Sequence, residues 1–309
     1  MWGCRVRAAR LTRMSNAAGP AETVDLAALA ERHGLSRSSA RPPLGGYLRE
    51  LWGRRQFIVS YARARTYAMY AGARLGSVWQ VLTPLMNAGV YYLAFGVLLG
   101  TKNGIDNYAA FLICGMFVFT YTQRSMTEGS RALALNMSLI RTLHFPRATL
   151  PLAYVVNELN QMAVSMGILF VLVGVTDGLA WSWFLVVPAL VLQTMFNLGM
   201  TLIFARIGTF VSDISQLLPF VTRTWLYASG IFFSIPDKLA DLDAPGWVIH
   251  VLALNPISAY IDLVRRALLD QHEQHALPNA WPIAAAWAVV VLAGGFVFFW
   301  RAEDRYGRG

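Results

Sequence analysis

Charge is scarce in this chain. Only 14% of its 309 residues are Asp, Glu, Lys or Arg, where soluble domains carry about 25%, so an ordinary water-soluble globule is excluded. Cysteine occurs twice, at Cys4 and Cys114, which excludes a disulfide framework. No G-x-x-x-x-G-K-[ST] run occurs, so the chain carries no phosphate loop from which to draw work. Residues 1–43 hold arginines but no continuous apolar run of the roughly 7–15 residues that a signal peptide needs. The thirteen residues before Met14 have no structural pattern, leaving Met14 as an alternative start. His250, His272 and His275 lie near Asp237, Asp241, Asp243, Asp262 and Asp270, at spacings that match no metal or acid–base motif. Neither a catalytic nor a metal site is expected.

What fills the chain instead is apolar: 56% of residues are hydrophobic. Several runs approach the roughly 20 residues that cross a bilayer as a helix. The pattern predicts an all-α polytopic membrane protein with six transmembrane helices: Ser77–Leu99, Tyr108–Met126, Leu152–Val175, Trp183–Ala205, Ile214–Ile235 and Trp281–Trp300. The third is weakened by "NELNQ", which sets Asn157, Glu158, Asn160 and Gln161 inside it. Trp52, Trp181, Trp183, Trp281 and Trp300 fall at predicted interfaces, as an aromatic belt requires.

Orientation follows from the basic residues. Thirteen arginines precede Ser77; Arg124, Arg131, Arg141, Arg147, Arg206, Arg301, Arg305 and Arg308 fall on the same predicted side. The other side holds Lys102, Lys238, Arg265 and Arg266, and Arg223 lies within a span. This is the positive-inside pattern, with both termini cytoplasmic. The net charge of +9 then meets anionic lipid headgroups and requires no nucleic acid.

Four regions outside the simple spans carry information. Residues 1–43 read as a disordered cytoplasmic tail, and 301–309 as a short cytoplasmic one. Residues 44–76 form an interfacial amphipathic helix region, with Leu48, Leu51, Trp52 and Phe57 on a broad apolar face and Arg49, Arg54 and Arg55 at its flank. Between spans two and three, Leu133, Met137, Ile140 and Leu143 recur at helical spacing before Pro146 and Pro151 stop the run. This short cytoplasmic helix presents apolar and basic groups suited to docking in a partner's groove. Between spans five and six, two apolar pieces broken at Asn255-Pro256 are too short to span, and read as outer re-entrant helices forming a lid. Asn255 caps the second piece, Pro256 starts it, and Arg265 and Arg266 meet the outer solvent near its end.

"YAGARLGSVWQVLTPLMNAGVYYLAFGVLL", "NMSLIRTLHFPRATLPL", "VSDISQLLPFVTRTWLYASGIFFSIP" and "NPISAYIDLVRRALL", as an ordered set over roughly residues 45–300, resemble the membrane subunit of ABC-type polysaccharide exporters. These permeases carry O-antigen, teichoic acid or mycobacterial galactan. The resemblance implies a homodimer within a bacterial inner membrane, paired with two separate ATPase subunits. Those partners would use ATP and Mg, and this chain would bind no cofactor. Met137, Ile140, Arg141, His144, Phe145, Pro146 and Arg147 would form the coupling element. Tyr91, Tyr92, Phe117, Tyr121, Glu158, Arg223, Trp225 and Tyr227 are candidates to line the passage of a polyprenyl-pyrophosphate-linked glycan. Arg223 would either meet the pyrophosphate or pair with Glu158. Asn255, Pro256, Tyr260, Arg265 and Arg266 would form the outer gate. Galactan is the preferred cargo, because 24 arginines against 2 lysines suggest a GC-rich, actinobacterial genome. The alternatives are an exporter of drugs or lipids of the same transporter type, and a membrane glycosyltransferase or acyltransferase.

Overall fold

The structure is a computed structural model that describes residues 43–76, 78–98, 107–143, 145–176, 178, 180–233, 252, 254–269, 277 and 279–306. The tail expected over 1–43 (except residue 43), His144, the three carboxy-terminal histidines and most of the first outer half-helix lie outside these residues. Among the described residues there is no strand.

Two helices open the described chain, α1 (Leu44–Gly53) and α2 (Arg55–Tyr70), separated at Arg54. Their buried side is Tyr47, Leu51, Ile58 and Ala62. The apolar face expected from the sequence is therefore split: Leu51 points inward, whereas Leu48 and Trp52 are exposed. Both fates are consistent with apolar character, because a helix in a headgroup layer meets protein on one side and acyl chains on the other.

The next helix, α3 (Val78–Tyr91), continues as a wider π-helical segment to Leu98. Pro84 sits inside it, so the Gln80 carbonyl loses its helical amide partner. Then come α4 (Tyr108–Arg131), the six-residue α5 (Met137–Thr142) and α6 (Thr149–Thr176). A short 3-10 turn at Trp181–Leu185 leads into α7 (Val186–Phe210), followed by α8 (Ile214–Tyr227). The last two are α9 (Pro256–Leu268) and α10 (Ala280–Trp300).

Among the described residues, four helical segments are long and apolar enough to cross a membrane: Val78–Leu98, Thr149–Thr176, Trp181–Phe210 and Ala280–Trp300. The other two expected spans have a different character. At 24 residues, α4 is about 36 Å long, but its last third is polar. It lies centrally against α3, α6, α7, α8 and α9, and a helix surrounded by protein has no need of a lipid-compatible surface. The α8 helix ends at Tyr227 rather than Ile235, and its 14 residues reach about 21 Å, short of a ~30 Å hydrocarbon core.

Close helix contact comes from small residues. At the α7–α10 crossing a methyl on Gly199 would overlap the Val291 carbonyl, and one on Gly295 would overlap the carbonyl of Gly199. Such positions let two backbones touch inside a membrane, where no hydrophobic effect drives helices together.

Candidate functional site

Three places gather the residues that the sequence singled out. The first is a cavity of about 100 Å³ bounded by α2, α3, α4 and α6. Its wall includes Phe117, Tyr121 and Glu158, three of the eight expected passage residues. The "NELNQ" interruption now has a cause. Thr66 on α2 donates to Asn157 Oδ1 at 2.7 Å, Asn157 Nδ2 donates to Glu158 Oε1 at 2.9 Å, and Gln161 Nε2 donates to the Tyr70 hydroxyl at 3.2 Å. The polar run on α6 is thus the surface on which α2 docks. Arg65 reinforces the joint, with a 2.6 Å ion pair to Glu128 and its guanidinium 3.8 Å from the centre of the Tyr154 ring. Buried polar groups are tolerated in a low-dielectric setting when they are paired in this way.

Glu158 does not pair with Arg223. Its charge is acted on by Arg124 and Arg65, while Arg223 is exposed on α8. The reason is helical phase: Arg223 follows the buried Thr222 and lies on the side that Phe220 and Tyr227, three residues before and four after it, also expose. Arg124 is the residue that sequence reasoning missed, because it was counted only as a basic residue at the end of a span.

Two of the remaining passage candidates meet in a second place. Tyr91 and Tyr227 both approach Phe232, with ring centroids 5.9 and 5.6 Å away, and Phe95 stacks on the same ring at 4.1 Å. Phe232 lies in the irregular turn after α8, where no helical period could flag it. Tyr92 lies against Gly96. Trp225 spends its indole N–H on Asn255 Oδ1 at 3.0 Å, tying α8 to the start of α9.

That start is built as the sequence indicated: Asn255 caps α9 by accepting from Ile257 N at 3.1 Å, and Pro256 takes the first helical position. The helix behind them is no solvent-facing lid. Tyr260 is fully buried and donates to the Ala284 carbonyl at 2.9 Å. Arg265 is buried too, and its guanidinium donates to the carbonyls of Phe111, Gly230 and Ile231 at 2.9–3.2 Å, with its plane over the Phe111 ring. It satisfies the turn that closes α8, where Gly230 adopts φ 64°. Arg266 alone approaches the surface, paired with Asp262 at 2.7 Å one turn back. Two adjacent arginines on a helix point about 100° apart, and here one of those directions meets the bundle interior and the other its surface.

The third place is the segment expected to act as the coupling element. The expected helix is shorter than the run suggested, because α4 continues to Arg131 and a 3-10 turn at Ala134–Asn136 precedes α5. Leu133 and Ile140 are buried and Met137 is half-buried, but Leu135 (64% exposed) and Leu143 (51%) point outward beside Arg141. Pro146 is buried, and Phe145 rests on Phe57 with centroids 5.6 Å apart. The segment after α5 is held by a buried carboxylate. Glu303 accepts from Arg147 N at 2.9 Å and from the Tyr47 hydroxyl at 2.9 Å, while its own carbonyl accepts from the Arg147 guanidinium. The Ala148 amide in turn donates to the Tyr47 oxygen at 3.2 Å. Burial pushes the Glu303 carboxyl above the usual carboxylate range, against the lowering by these donors, and pushes the Tyr47 phenol well above its ordinary value. The opening helix, the segment between α5 and α6 and the carboxy-terminal turn therefore meet at one end of the bundle. Among the described residues no group of three or more His, Cys, Asp or Glu is placed to hold a metal.

Comparison with known proteins follows the same outline. Residues 55–269 match the ABC-2 type transporter family. The O-antigen export system permease protein RfbA of Myxococcus xanthus is 28% identical over 262 residues, covering 83% of this chain and 96% of that protein. A protein of the same name from Klebsiella pneumoniae is 29% identical over 199 residues, 62% of this chain and 72% of its own length.

Proposed function

The chain belongs to the ABC-2 type transporter family, and from that premise we propose that it is the membrane permease of an ATP-driven polysaccharide exporter. The supporting observation is its likeness, along 96% of that relative's length, to an O-antigen export permease. In this reading a polyprenyl-pyrophosphate-linked glycan leaves the inner leaflet of the bacterial inner membrane and emerges outside. A galactan of the cell wall is the preferred cargo, in keeping with the arginine-rich composition. The chain makes and breaks no bond, and two separate ATPase subunits bind ATP and Mg and supply the work.

The coupling proposal rests on the exposed side of α5 and its flanks. Leu135, Arg141 and Leu143 present two apolar groups and one cation toward the outside of the bundle, a surface suited to the groove of an ATPase. Movement there would pass through Phe145 and Pro146 into α6, which begins at Thr149. The same end of the bundle holds Tyr47 and Glu303, which agrees with both termini being cytoplasmic. A second copy would complete the passage, with Arg223 and the aromatics of α8 facing it.

Depletion in the host tests the reading. Polyprenyl-linked glycans are extracted from each side of the membrane and sized. Full-length glycan accumulating inside while the outer pool falls is the expected result. Truncated glycan would instead indicate a biosynthetic enzyme, and unchanged glycan an exporter of drugs or other lipids.

A further inference from the structure

The cavity between α2, α3, α4 and α6 holds two opposite charges that do not meet. Glu158 is 4% exposed, and while its Oε1 accepts from Asn157, its Oε2 has no partner. Arg124 borders the same space and makes no hydrogen bond or ion pair with another described residue. Burying a charge is costly unless its partners are in place, and a carboxylate oxygen without a donor is an unmet demand. Arg124 borders a space for an occupant that offers it a negative charge, while Glu158 Oε2, closed to water-sized contact as it stands, takes a hydroxyl from that occupant once its carboxyl turns.

The rest of the wall agrees with that chemistry. Gln80, Thr83 and Asn87 come from α3 around Pro84, and Gln161 and Ser165 come from α6. About 100 Å³ is the room of roughly three waters. That suits one phosphate and a neighbouring hydroxyl, but not an extended sugar chain. The way in is also visible. A groove of about 610 Å³ runs past Arg63, Thr66 and Tyr67 and shares Tyr70 and Gln80 with the cavity. The outer side of α3, turned away from Gln80, Thr83 and Asn87, exposes Val81, Leu85 and Met86, a surface for a hydrocarbon chain that a soluble anion would not need.

We propose that this cavity binds the hydroxyl-bearing phosphate headgroup of a membrane lipid, with Arg124 holding the phosphate and the Glu158 carboxylate turning into the cavity to accept from the hydroxyl. Arg63 at the groove attracts the headgroup, and the chain of the lipid lies along α3. A polyprenyl diphosphate carrying a sugar and phosphatidylglycerol both have this chemistry. Only the first depends on the export reading above.

The test uses the full chain with its ATPase partner in phosphatidylcholine nanodiscs. Binding of two probes is measured separately: polyprenyl diphospho-N-acetylglucosamine and phosphatidylglycerol. At least one is expected to bind saturably, with affinity falling about tenfold or more in both Arg124→Gln and Glu158→Gln. Arg124→Lys keeps the charge but loses the planar fork, so its loss is expected to be smaller. Glu158→Gln removes an uncompensated charge and is expected to leave the melting temperature without ligand unchanged or higher, separating lost binding from lost folding. Saturable binding of the glycolipid assigns the site to the cargo. Binding of phosphatidylglycerol alone keeps the site but detaches it from export, whatever the depletion experiment finds. Equal affinities of both probes for the wild type and both Gln variants, or no saturable binding, would overturn the proposal.

Discussion

At the scale of single residues, the chain's rare charges are stationed where backbone or other charges need them. Arg265 donates to three main-chain carbonyls, two of them in the turn that ends α8. Each carbonyl left without a donor in a dry interior costs about 1–3 kcal/mol. Arg265→Met is therefore expected to lower stability by at least that amount and to reduce the melting temperature in detergent sharply, whereas Arg223→Gln, on an exposed face, should leave it within a degree or two. A similar loss in both would contradict the assignment. Arg131 serves the backbone in the same way. It reaches the Ser215 carbonyl at 3.4 Å, the acceptor that Pro219 inside α8 deprives of a helical amide.

Glu303 supplies a pH prediction. Its carboxyl lies above the usual carboxylate range because burial penalises the charged form. The folded chain therefore holds this proton more readily than the unfolded one. The group's contribution to stability is then largest in acid, and it falls as pH rises from the ordinary carboxylate range through the raised value, levelling off beyond it. Tyr47 stays protonated throughout and keeps donating. Melting curves of wild type and Glu303→Gln from acid to neutral pH are expected to diverge over that window, with the wild type losing ground. Parallel curves would show that the buried carboxyl has an ordinary value.

At the scale of elements, packing is decided by what is missing from side chains as much as by what is present. The α7–α10 crossing depends on Gly199 and Gly295. Gly199→Ala is expected to force the helices apart and to cost more than the 1–3 kcal/mol of ordinary overpacking, because the obstacle is a carbonyl and not a movable side chain. Gly167, with nothing near its added methyl, is the control: Gly167→Ala should be neutral or slightly stabilising. For α5, Leu143→Asp changes an exposed residue and should leave the fold intact. In the proposed role it would abolish co-purification of the ATPase and export together. Retained ATPase binding in this variant would place the coupling surface elsewhere.

At the scale of the whole molecule, large apolar areas remain uncovered. On α3 and its π-helical continuation only Ala88 and Gly96 are buried, and α8 exposes Leu217, Phe220, Val221 and Tyr227. Lipid can cover one such face, but α8 is too short to be an ordinary span, and its Arg223 is costly against hydrocarbon. A second copy is the proposed cover. The cysteine content makes this easy to check, since Cys114 is buried. With Cys4 replaced, a single Phe220→Cys is expected to form a disulfide-linked dimer in membranes, while Val175→Cys, far along α6, should not. The reverse pattern would move the interface.

Much was legible from residue order alone. The membrane class followed from the low charge and the apolar runs, because a bilayer admits little else. The α9 start followed from Asn255-Pro256, because capping is a local act of neighbouring atoms. The existence of a short helix before Pro146 followed from spacing and from proline's missing amide. What the sequence could not settle were matters of partnership between distant segments. The polar "NELNQ" run looked like a flaw in a span until α2 was seen bound to it. Arg265 read as a solvent residue until its carbonyls came from positions 111, 230 and 231. Glu303 and Arg124 gave no signal, one sitting in a terminal turn and the other at a helix end. Hydropathy and helical period report how each segment meets an average environment. Which buried donor finds which acceptor depends on segments up to 256 positions apart, and only the tertiary structure brings those together.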